Sequence, residues 1–82
     1  MTTATTIMSI ATRIANRRII DPRARLRDFG DSHGVAIVDE CQRVFRVALS
    51  DWDLERCATL QDLATVIDLV LELDDIERRY AA

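Results

Sequence analysis

There is no lysine in these 82 residues, and only one histidine, one proline and two glycines. So little Pro and Gly, beside a large apolar fraction, excludes a disordered or low-complexity chain. Aromatic side chains stop at Phe29, Phe45, Trp52 and Tyr80. Ile, Val, Leu and Ala must therefore fill the core, as in a small helical bundle. The two cysteines, Cys41 and Cys57, form no C-x-x-C pair, and a single histidine cannot complete a zinc set. Both fall on apolar-periodic positions, so the expectation is two buried, reduced thiols used as small hydrophobes. No charged leader followed by an apolar stretch opens the chain, and its apolar runs are far too short to span a bilayer. A cytoplasmic protein with no membrane partner is the expectation.

A chain of this length makes one domain, residues 1–82, and buries only roughly 60% of its unfolded surface. Enclosing a deep substrate pocket as well is difficult at this size. Length therefore argues against a self-contained enzyme and for a module that presents something. The net charge of −3 hides an asymmetry. Residues 1–30 carry six Arg against two Asp, whereas residues 31–82 carry five Arg against twelve acids. The acidic balance speaks against nucleic acid as a partner. The Arg group at 13, 17, 18, 23, 25 and 27 reads as a solvated helix face and loop.

The apolar spacing predicts an all-α fold of three main helices and one short one. Ile7, Ile10, Ala11 and Ile14 share one face of a helix from about Thr5 to Arg17. Asp21-Pro22 breaks the pattern, and residues 18–30 read as a long connecting loop tacked to the core by Leu26 and Phe29. Val35, Val38, Cys41, Val44 and Phe45, with Ile37 beside them, predict a second helix to about Arg46. Asp31 or Ser32 is the expected N-cap there, since a short side-chain oxygen accepts from first-turn amides. Ser50 or Asp51 would cap a short helix through Arg56, with Trp52 as a lid on the core. Thr59 would cap the last helix, Leu60 to about Leu73, on the face of Leu60, Leu63, Ala64, Ile67, Val70 and Leu71. Residues 74–82 read as a frayed extension or a short helix. No strand pattern or repeat is present.

Several residues invite chemistry. Ser32, at a helix start, is an exposed hydroxyl beside unpaired amides, where a phosphodiester would sit in a favourable field; the plainer reading is an N-cap. Asp31, Ser32 and His33 have the residue types of a hydrolase triad, but being consecutive they point apart, and a triad converges from separate parts of a fold. Gly-Asp-Ser also opens a lipase and esterase motif whose further blocks and longer chain are absent here. His33 alone reads as a surface residue. Asp51, Asp53 and Glu55 lack the Gly and terminal Glu of a calcium loop and read as a capping turn. No metal site is expected.

The order of these elements resembles the acyl and peptidyl carrier protein family over residues 24–73. Leu26-Arg27-Asp28-Phe29-Gly30-Asp31-Ser32 is similar to that family's Phe-x-x-Leu-Gly-x-Asp-Ser-Leu segment. Residues 41–49 are similar to the end of its second helix, and Cys57-Ala58-Thr59-Leu60-Gln61-Asp62-Leu63 to the opening of its last. The resemblance implies that Ser32 carries a covalent 4′-phosphopantetheine supplied by a phosphopantetheinyl transferase, with Asp31 and His33 beside it. The arm's thiol would hold an acyl or aminoacyl group for cargo-loading and cargo-using enzymes. Those partners would dock on the second helix, at Val35, Ala36, Asp39, Glu40 and Arg43, and the protein would act as a monomer with no catalysis of its own. Where the family has Leu after the serine, this chain has His33 and then Gly34. The loop before Ser32 is shorter, and Asp39, Glu40, Arg43 and Arg46 sum to zero charge. These departures imply a specialised carrier with dedicated partners. A rival reading is an unmodified helical interaction module, because Val66, Leu69 and Val70 carry the apolar stripe of the last helix further round than a minimal bundle needs.

Overall fold

The computed structural model describes residues 2–80 and contains four α-helices and one 3-10 turn. They are α1 (Thr3–Ala15), the 3-10 turn (Leu26–Phe29), α2 (Asp31–Phe45), α3 (Asp51–Glu55) and α4 (Leu60–Tyr80). Among the described residues there is no strand, only an isolated bridge between Arg25 and Thr59. The small all-α bundle of three long helices and one short one is therefore as the apolar spacing implies.

Each boundary has a local cause. The Thr2 hydroxyl accepts from the Thr5 amide at 3.1 Å, so α1 starts two residues earlier than its apolar face suggests. It stops at Ala15 because Asn16 turns left-handed at φ 54°, a conformation Asn tolerates. Gly30, at φ 82° and ψ 160°, closes the 3-10 turn and caps α2. Asp31 and Ser32 are thus not the N-cap but lie inside the first turn. The reason is steric: only glycine adopts that backbone region readily, so the helix begins directly after it. Ser50 and Asp53 form a reciprocal capping box on α3. Thr59 and Asp62 do the same for α4, with the Asp62 amide 3.1 Å from the Thr59 hydroxyl and the Thr59 amide 3.1 Å from the Asp62 carboxylate.

The long first loop is held by main-chain hydrogen bonds to the start of α4. Leu26 N donates to Ala58 O, Leu60 N to Ala24 O and Gln61 N to Pro22 O, at 2.8–3.0 Å. Loop carbonyls thereby satisfy amides that a helix N-terminus otherwise leaves unpaired. Phe29 is buried and Leu26 half-buried, so both expected anchors are in place. The Arg17 guanidinium stacks over the Phe29 ring at 5.1 Å.

The core joins Ile7, Ile10 and Ala11 of α1, Ile37 and Cys41 of α2, and Leu60, Leu63, Ala64 and Ile67 of α4. In α2 the buried face is one step round from the expected one. Ile37 and Cys41 are its centre, whereas Val35 is 61% exposed and Val44 also faces solvent. Trp52 is not a lid on the core: it is 64% exposed, with Arg56 stacked on its ring at 5.0 Å. The last helix does not end near Leu73 but runs unbroken to Tyr80. No described helix is long and apolar enough to cross a membrane.

Candidate functional site

Ser32 is the second residue of α2, exposed, between the exposed Asp31 and His33. Gly30, as the cap, has no side chain to offer, and no side chain hydrogen-bonds the start of this helix. The first backbone amides to find a helical partner belong to Gly34, whose N–H donates to Gly30 O at 2.8 Å. The amides of Asp31, Ser32 and His33 therefore form the positive end of the helix dipole, in the same turn as the hydroxyl. This is the opposite of an N-capping serine, whose oxygen is consumed by the helix itself.

Helical spacing sets Ser32 on one stripe with Val35, Ala36, Asp39 and Arg43. That stripe borders an open, mainly apolar groove of about 410 Å³ between α2, the 3-10 turn and α3. Val35, Val38 and Gln42 form its α2 wall, Leu26 and Leu54 face them, and Arg27, Asp31 and Asp39 supply charge at its edge. Gln42 also holds the far end, its side-chain oxygen accepting from Leu49 N at 2.8 Å. Ser32 itself stands beside this groove and does not line it.

The residues expected to dock partners are not equivalent. Val35 and Asp39 are exposed and Ala36 is half-buried. Glu40 is half-buried and committed elsewhere: it accepts from Arg43 Nε at 3.1 Å and from the terminal nitrogen of the same guanidinium, and meets Arg13 of α1 at 3.5 Å. The hydrogen bond from Arg43 is the main reason its carboxyl titrates below the usual range. Glu40 and Arg43 thus neutralise each other within α2, Glu40 ties that helix to α1 through Arg13, and Asp31 and Asp39 remain as the exposed acids of the Ser32 face.

Neither cysteine belongs to the site. Cys41 is fully buried, and burial, reinforced by the neighbouring Glu40 charge, pushes its thiol up to about 12. Cys57 is half-buried rather than enclosed; its thiol donates to Asp53 O at 3.3 Å and is raised first by burial and then by Asp62 and Asp53. Among the described residues no group of His, Cys, Asp and Glu is arranged to hold a metal ion.

The groove is the part of the site that residue spacing did not reveal. It needs α3 and the 3-10 turn placed against α2, and those placements depend on contacts between segments that periodicity within one segment does not report. The available signal was Val35, an apolar residue on the same stripe as Ser32. Compared with family models, curated proteins and solved structures, the chain matches none.

Proposed function

We propose that this chain is a carrier protein that holds an acyl or aminoacyl group on a 4′-phosphopantetheine arm attached to Ser32. The observation that carries the reading is Ser32 itself: an exposed hydroxyl, in the first turn of a long helix that no side chain caps, at the border of an apolar groove. These residues suit the group. The first-turn amides of α2, which no side chain caps, would favour an anion bonded to the Ser32 oxygen, and Arg27 at the groove's edge adds a cation. In the attachment step a transferase's base takes the Ser32 proton, the Ser32 oxygen bonds to the phosphorus next to the pantetheine, and coenzyme A loses its adenosine bisphosphate portion. When bound, the arm supplies a thiol that holds the cargo as a thioester.

The chain's own work is presentation. The core keeps the start of α2 fixed, Gly30 keeps the turn before it tight, and the groove offers apolar cover beside the attachment point. Asp31, Asp39 and Val35 form the exposed surface that the transferase and the cargo-loading and cargo-using enzymes would meet, with His33 in place of a general apolar contact. A module of this kind needs no catalytic group, and the action is assigned to the cytoplasm, where coenzyme A and the transferase are present.

Intact-mass spectrometry before and after incubation with a broad-specificity phosphopantetheinyl transferase and coenzyme A tests the reading. The expected result is one arm's mass added to the wild-type chain and none to a Ser32→Ala variant that remains folded by circular dichroism. Equal labelling of the Ser32→Ala variant would remove Ser32 from the proposal.

A further inference from the structure

Helix α4 has two apolar faces. Leu60, Leu63, Ala64 and Ile67 point into the bundle and are buried. Beyond Asp68, where the Thr3 hydroxyl of α1 donates to the Asp68 carboxylate at 2.5 Å, no residue of the helix is fully buried, although half-buried Val70 still packs against the core. The stretch 69–80 nevertheless stays helical, about 18 Å of it at 1.5 Å per residue. Along it Leu69, Leu73, Ile76 and Tyr80 are exposed. Their steps of four, three and four residues are those of a coiled-coil seam, and half-buried Val66 continues the seam inward. At 100° per residue this seam lies on the opposite side of α4 from the core face.

We infer that this seam pairs, antiparallel, with the same seam of a second copy of the chain. Two observations choose that occupant and that direction. The flanks of the seam differ in charge: Glu72 and Arg79 stand on one side, Glu77 and Val70 on the other. When two identical helices pair antiparallel, each flank meets its own kind running the other way. Leu69 then lies against Tyr80 of the second copy, Leu73 against its Ile76, and Glu72 beside its Arg79, twice by symmetry. Parallel pairing brings unlike flanks together and sets Glu72 against Glu77 of the second copy, a like-charge contact. The second observation is steric. Because the core face points away from the seam, each bundle lies on the outer side of the helix pair and leaves the seam free to close. Arg79 also pairs with Asp75 of its own helix at 3.0 Å, and Glu72 of the second copy would share that guanidinium.

The pairing is independent of what Ser32 carries, and it replaces the monomer expected from the sequence. A seam of about three turns is short of the 1,200–2,000 Å² of a standard interface, so a dissociation constant on the order of 10–100 μM is expected. Sedimentation equilibrium of the full chain across that range is the test. The wild-type chain should pass from monomer to dimer. Leu73→Glu should remain helical and weaken association at least about a hundredfold, since it sets a charge in the seam on both copies. Glu72→Arg, an exposed change that leaves the core untouched, should weaken association about fivefold, and adding Arg79→Glu should restore it. A chain that stays monomeric at millimolar concentration overturns the inference. Unaltered dimerisation of a helical Leu73→Glu variant does so too, and tighter association of Glu72→Arg overturns the antiparallel direction.

Discussion

Gly30 and Gly34 sit four residues apart and make opposite demands on a substitution. Gly30 has φ +82° and ψ 160°, a region closed to residues with a Cβ. Gly30→Ala is expected to destabilise by about 1–3 kcal/mol and to misplace the start of α2. Gly34 is helical, and a Cβ there meets only the Leu26 carbonyl oxygen at an ordinary 3.5 Å. Gly34→Ala is therefore expected to stabilise by about 0.5–1 kcal/mol, a rise of several degrees in Tm, while narrowing the groove beside Ser32. Chemical denaturation of the two variants checks both signs. The composition singled out both glycines, but a sequence does not print φ, and the two read alike until the backbone around them is known.

The cysteines give a second prediction at this scale. Both thiols titrate above their ordinary value, so the folded state resists ionising them while the unfolded chain does not. Their contribution to stability is complete below about pH 9 and is lost as pH rises toward about 12 for Cys41. A thiol reagent at neutral pH should react slowly with half-buried Cys57, scarcely with Cys41, and quickly with both in denaturant. Rapid labelling of Cys41 in the folded protein would contradict the packing described. The burial of Cys41 was legible from its apolar register. The partial exposure of Cys57 was not, since it depends on how little of the short α3 covers it.

At the scale of elements, the capping residues do much to set where helices begin. Removing the Thr59 hydroxyl (Thr59→Ala) strips the cap from α4 and loosens the join to the first loop. It is expected to cost about 1 kcal/mol, measured by thermal unfolding. Helix number, the core faces of α1 and the start of α4 and the two later caps were legible because Ser and Thr announce a start and apolar spacing announces a face; the face of α2 was set one step off, since Val35 and Val44 turn to solvent. Two elements were misread for identifiable reasons. The 3-10 turn is too short to have a period, and its glycine, not the following Asp or Ser, begins α2. The end of α4 carries Asp74, Asp75, Glu77, Arg78 and Arg79 and so reads as a frayed extension or a separate short helix rather than as a continuation of α4. Yet Leu73, Ile76 and Tyr80 are spaced through those charges as a second stripe, which the unbroken helix brings into line.

For the molecule as a whole, three helices share one small core, and Ile37 is fully enclosed at the centre of it. Ile37→Ala should cost about 2–5 kcal/mol, enough to unfold a large fraction of so small a domain. Ser32→Ala should cost almost nothing, because the hydroxyl is exposed and caps no helix. That contrast separates scaffold from site: the bundle holds the position of Ser32, and Ser32 contributes nothing to the bundle. The segment 26–32 and its place before a periodic helix singled out Ser32, and the fold leaves that serine exposed in the first turn of α2. The groove emerged only when separate segments were set side by side, whereas the second face of α4 was read in part from Val66, Leu69 and Val70, and its extension needed the helix to run on to Tyr80.

The most direct test of the carrier reading is to digest the transferase-treated chain with trypsin and sequence the peptide of residues 28–43 by mass spectrometry. That peptide holds a single hydroxyl side chain, Ser32. The account predicts that it gains the mass of one phosphopantetheine and that fragmentation assigns it to Ser32. A folded chain whose 28–43 peptide stays unmodified under conditions that fully load a known carrier would contradict it.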